Sequence, residues 1–143
     1  MKKEPLYIVW NQKQAINVPI IDEQHHAIVA AINSLYFFIT QGWGLSALSP
    51  TLKIIKATIG FHLKTEEGIL EKLGANHEIL HEHSNIFNTF SLNADISIKE
   101  AIIEQDPMIL LKFLRDWWLQ HRNEDHPDYA KTLSTITVTE DEY

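Results

Sequence analysis

The 143-residue sequence contains no cysteine. Disulfides, a thiolate nucleophile and cysteine-ligated zinc or iron–sulfur sites are thereby excluded. Basic charge is also short: 12 Lys and Arg stand against 19 Asp and Glu, a formal net charge of −7 with histidine neutral. A nucleic-acid or anionic-membrane surface needs a basic face to release counterions, so neither partner is expected. No apolar run reaches the length of a membrane span. The opening Met1-Lys2-Lys3-Glu4-Pro5 lacks the apolar core of a signal peptide. A cytoplasmic chain is expected. There is no phosphate-cradling glycine loop and no Ser/His/Asp set that periodicity would bring together.

What the sequence does have is an ordinary globular balance, 45% hydrophobic and 22% charged residues, in a length that suits one compact domain. Its outlying feature is histidine, eight in all, four of them directly beside a carboxylate.

Four stretches carry a helical period and none carries a strand period. The first runs from Ile20 to Thr40, with Ile21, His25, Ile28, Ile32, Leu35 and Ile39 on one stripe, and ends at Gly42 and Gly44. An arm, Leu6 to Pro19, precedes it; Trp10, Ile16 and Val18 suit packing across a bundle. The second helix is expected to open at Ser49-Pro50, a cap followed by proline. It carries Leu52, Ile55, Ile59, His62, Glu66, Ile69 or Leu70, and Leu73 to Gly74. The third is expected over Asn76 to Phe90, followed by a polar stretch from Asn93 to Asp106 with a short helix around Ile98 to Ile103. The fourth opens at Asp106-Pro107 and shows Leu110, Phe113 or Leu114, Trp117 and His121, with Pro127 ending or bending it. Thr132 to Tyr143 read as a frayed tail or the start of a linker. The expected fold is an all-α, antiparallel up-down four-helix bundle with an N-terminal arm, a single domain with its core over about residues 10–130.

His25, His62, Glu66 and His121 all fall on the apolar stripes. Burying several imidazoles and a carboxylate without partners costs several kcal/mol, roughly. A single histidine on an apolar face is usually a satisfied core residue; a histidine at the middle of three stripes points instead to a shared metal site. Imidazole nitrogens and a carboxylate oxygen are the ligands that borderline first-row metals prefer. His62 and Glu66, at i and i+4, lie one turn apart on one face.

These residues resemble a known family. Trp10-Asn11, Ile21-Asp22-Glu23-Gln24-His25 and Ile32-Asn33-Ser34-Leu35 are similar to the opening of bacterial hemerythrins. So are Phe61-His62-Leu63-Lys64-Thr65-Glu66-Glu67 with Leu70 and Gly74, and Phe113 to His121 with Tyr129 eight residues on. The resemblance implies a bundle holding a non-haem di-iron centre: one His from the first helix, a His and a bridging Glu from the second, two His at i, i+4 from the third, and a His and a bridging Asp from the fourth. The reduced form leaves one iron open to O₂. By position His25, His62, Glu66 and His121 match, and His26 falls off the stripe as a surface residue.

Two departures follow from the same alignment. Where the family has its fourth-helix Asp the chain has His126, with Asp125 one residue early; His126 is the preferred ligand and Asp125 the alternative. In the third helix, counting from Gly74 places the family's pair at His81 and Asn85. Counting from the apolar face of Ile79, Ile86, Phe87 and Phe90 favours His83 and puts Ile79 in the first His slot. The order of preference is His83, His81, His77. The implied metal set is therefore His25, His62, Glu66, His83 or His81, His121 and His126, with His in place of a bridging carboxylate.

The implied function is a non-enzymatic, iron-binding protein that binds O₂, or another small diatomic ligand, or senses oxygen or redox state. Such domains can act with a signalling partner or a fused domain. Fewer anionic ligands favour the reduced metal, and a mononuclear site or another metal stays open. The alternative is a degenerate, metal-poor bundle acting as a regulatory or interaction module. A di-iron oxidase or peroxidase ranks below both, because the second Glu-x-x-His motif of ferritin-like enzymes is missing.

Overall fold

A computed structural model of the chain describes residues 5–10, 15–16 and 18–124, with side chains as far as Arg122. The expectations for His126, Asp125, Pro127, Tyr129 and the tail over residues 132–143 lie outside the described residues.

The described residues form four α-helices: α1, Pro19–Thr40; α2, Leu48–Lys72; α3, His77–Glu104; and α4, Met108–Glu124. Each packs on its neighbours in the cyclic order α1, α2, α3, α4 and back to α1. The connections are short, so successive helices reverse direction, as expected for an up-down bundle. No described helix is long and apolar enough to cross a membrane.

Helix boundaries follow local chemistry. Pro19 stands at the first position of α1, where its missing N–H costs nothing. The helix ends at Gln41, followed by Gly42 at φ 91°, a conformation that glycine adopts without steric penalty. The expected cap at Ser49 does not form. A 3₁₀ turn over Gly44–Ala47 runs directly into α2, so the chain is already helical before Ser49 arrives. At the start of α3, Asn76 Oδ1 accepts from the Ile79 N–H at 2.9 Å. At α4, Asp106 Oδ1 accepts from the Met108 N–H at 3.0 Å, beside Pro107.

The largest departure from expectation is α3. The polar stretch and separate short helix are instead one continuous helix to Glu104, closed by Gln105 in the left-handed region at φ 52°. Phe90, Ala94, Ser97 and Ala101 form its buried stripe. Their spacing is helical, but three of the four are small, so a search for large apolar residues passes over them.

The core runs along the bundle axis from Ile28, Ile32 and Leu35 of α1 to Leu52, Ile55 and Ile59 of α2 and Leu110, Leu111, Leu114 and Trp118 of α4. The arm closes over it. Asn33 Oδ1 accepts from the N–H groups of Tyr7 (3.0 Å) and Ile8 (2.8 Å), and Asn33 Nδ2 donates to the Ile8 carbonyl (2.8 Å). Ile8 is thereby buried and Tyr7 stacks on Tyr36. Burial raises the pKa of the Tyr7 hydroxyl, against the opposing pull of Arg115, whose guanidinium sits 4.7 Å above the ring.

Candidate metal centre

Three helices each deliver side chains to one point in the core. α1 contributes His25, α2 contributes His62 and Glu66 one turn apart, and α4 contributes His121. All four are 0% exposed. One ligand atom from each lies within 4.8 Å of all the others.

His62 is the hub. Its Nε2 lies 3.1 Å from His25 Nε2, 3.2 Å from His121 Nε2 and 2.7 Å from Glu66 Oε1. Glu66 Oε1 is 3.5 Å from His121 Nε2 and 3.9 Å from His25 Nε2. A ring nitrogen carries at most one proton and aims it along one line. A proton on His62 Nε2 therefore serves at most one of its three neighbours. A cation in their midst could accept a lone pair from each of the four atoms at once. With metal–nitrogen bonds of about 2.0–2.1 Å, neighbouring ligands stand about 3.0–3.4 Å apart, which is where the His25–His62 and His62–His121 contacts fall. Three imidazoles and a carboxylate also suit a borderline first-row metal. The residues fit such an ion.

The third helix adds one group. His83, 5% exposed, places Nε2 2.9 Å from Glu66 Oε2. The two oxygens of Glu66 thus face different sets of nitrogens. His83 Nδ1 is buried and has no hydrogen-bond partner among the described residues. Of the alternatives open in the sequence, His83 turns inward; His81 and His77 are exposed and stand apart from the cluster. The apolar-face count was the better guide because α3 is a regular helix through this region. Ile79, in the slot before His83, is 44% exposed.

Around this cluster the aromatic residues build walls. Trp117 stacks on His121 with centroids 4.9 Å apart and planes 6° from parallel. Trp118 meets His25 edge-on at 5.0 Å. Trp10 of the arm lies on His26 (3.9 Å) and against Trp118 (6.3 Å), which gives the exposed His26 a packing role. Two surface grooves approach the site. One of about 440 Å³ between α3 and α4 is lined by Phe90, Trp117 and His121; another of about 740 Å³ between α2 and α3 is lined by Gly60, Phe87 and His83.

Behind His62 stand groups that no periodic pattern in the sequence marks. His62 Nδ1 is 3.0 Å from Gln24 Oε1, Gln24 Nε2 donates to Thr65 Oγ1 at 3.0 Å, and Thr65 Oγ1 donates to the Phe61 carbonyl at 3.1 Å. The available signal was adjacency: Gln24 precedes His25 and Thr65 precedes Glu66.

No family model matches the chain, and no curated protein matches it.

Proposed function

We propose that the chain is a hemerythrin-like protein that holds non-haem iron in this cluster and binds O₂ or reports oxygen or redox state. The observation that carries the reading is the convergence of three imidazole nitrogens and Glu66 Oε1 in a fully buried pocket. His25, His62 and His121 with Glu66 Oε1 would hold one iron. Glu66 Oε2 and His83 would contribute to a second, and His126, at the position where the resemblance implies an Asp, or else Asp125, would complete it. Reduced iron, when bound, would supply the electrons that O₂ binding draws on. The chain's own residues do the rest. The aromatic walls of Trp117 and Trp118 keep the imidazoles out of bulk water, and the carboxylate of Glu66 offsets part of the metal's charge.

The test is spectroscopic. The protein is reconstituted with ferrous iron without air, and O₂ is then admitted. A visible charge-transfer band that appears with O₂ and fades on its removal supports carriage; a band that appears and persists supports redox sensing. A well-folded protein that takes up iron and shows no band in air contradicts the O₂ reading.

A second reading is favoured by the third helix, where His83 is the sole histidine turned inward among the described residues. A metal-poor bundle acting as a regulatory or interaction module fits that feature. Metal-free protein recovered from iron-supplemented cells, folded and stable, would favour it.

A further inference from the structure

The hydrogen bonds behind His62 run in one direction. The chain of groups begins at the Phe61 carbonyl, which can only accept. Thr65 has one hydroxyl proton and gives it to that carbonyl, at 3.1 Å. The Thr65 oxygen must then accept from Gln24, so the Gln24 amide turns its NH₂ toward Thr65, at 3.0 Å. That leaves Gln24 Oε1 facing His62 Nδ1 at 3.0 Å, and an amide oxygen can only accept. Nδ1 is therefore the protonated nitrogen. In a neutral imidazole Nε2 then bears the lone pair, and Nε2 is the atom at the hub of the cluster.

From this we infer that Gln24 and Thr65 are positioning residues for the metal: they hold His62 in one tautomer and one ring orientation, with Nε2 presented as a ligand. The inference rests on the metal reading above but not on iron or O₂. The relay also joins α1 to α2, since Gln24 belongs to the first and Thr65, Phe61 and His62 to the second. It sets the face of α1 that carries His25 against the face of α2 that carries His62 and Glu66. His83 has no such support, its Nδ1 being without a partner among the described residues. Groups that orient a ligating histidine from behind typically govern metal affinity by about 10–100-fold.

The test uses Zn²⁺, which needs neither redox chemistry nor O₂, on the full chain. Gln24→Leu removes both hydrogen bonds at nearly constant volume and is expected to weaken Zn²⁺ binding by roughly 10–100-fold with helical content unchanged. Thr65→Val leaves the Gln24 amide free to rotate and is expected to give a smaller loss in the same direction. Gln24→Glu, which keeps an acceptor at Nδ1, is expected to bind within a few-fold of the parent, and so is Thr65→Ser. In the Zn²⁺-loaded protein, the His62 Nδ1 proton seen by NMR is expected to exchange with solvent faster in Gln24→Leu than in the parent. Gln24→Leu binding as tightly as the parent, with that proton equally protected, overturns the relay while leaving the metal reading intact. A parent chain that binds no Zn²⁺ overturns both.

Discussion

Nε2 of His83 lies 2.9 Å from Oε2 of Glu66, on the oxygen opposite the one that faces His25, His62 and His121. Glu66 thereby divides the nitrogen donors into two sets. In the proposed centre the first set holds one metal by itself, and His83 serves the second. His83→Ala is expected to lower the metal content from about two to about one per chain, with the first binding step unchanged in a calorimetric titration. Unchanged stoichiometry in that variant would show that His83 only braces the carboxylate.

Metal removal should be visible as lost stability. The cluster sets four buried polar side chains against one another, and a cation that binds only the folded chain stabilises it by mass action. At a free metal concentration 100 times Kd the gain is about 2.7 kcal/mol, equivalent to a rise in Tm of roughly 5–10 °C for a domain of this size. A chelator in the melting buffer is expected to remove that increment, and readdition of metal to restore it. Identical melting curves with and without chelator would count against a bound metal.

Asn33 ties the arm to α1 through two accepted hydrogen bonds and one donated. Asn33→Ala leaves backbone groups of Tyr7 and Ile8 unpaired and is expected to cost about 1–3 kcal/mol. Asn33→Asp is the sharper variant: it keeps the two acceptor bonds but sets a carboxylate oxygen against the Ile8 carbonyl. Hydrogen exchange over residues 5–10 is expected to quicken in both, with Asp showing the intermediate rate. An unchanged rate would mean that the arm is held elsewhere.

Two glycines in α2 separate helix propensity from packing. An added Cβ at Gly68 meets nothing within 4 Å, so Gly68→Ala is expected to stabilise by about 0.5–1 kcal/mol. At Gly60 the same Cβ comes 3.3 Å from the Phe87 ring. Gly60→Ala is expected to give less than Gly68→Ala, and to recover the difference in a Phe87→Ala background. Denaturant unfolding of the double-mutant cycle measures this directly.

Much of the bundle could be read from the sequence because its signals are periodic. Ile21 to Leu35, Leu52 to Leu70 and Leu110 with Leu114 place large apolar residues at helical steps, and those residues form the core; in α4 the fully buried tryptophan is Trp118, while the expected Trp117 is half-buried and stacks on His121. The same stripes exposed His25, His62, Glu66 and His121 as groups out of place. The second half of α3 was lost because Ala94, Ser97 and Ala101 bury a face without large side chains. His83 and His81 were separable only by the phase of the helix, which the apolar face supplies and linear counting from Gly74 does not. The role of Gln24 had only its adjacency to His25 as a signal: its partners, His62 and Thr65, are 38 and 41 residues away, and hydrogen bonding across two helices has no period.

Metal content is the property on which the proposed role of the buried His/Glu cluster stands, and elemental analysis measures it. The chain and its Glu66→Ala variant are purified from iron-supplemented cells, with helical content followed by circular dichroism. About two irons per parent chain and little or none in Glu66→Ala are expected, with both proteins equally helical. A folded parent without metal, or a variant that retains the parent's stoichiometry, would contradict that role.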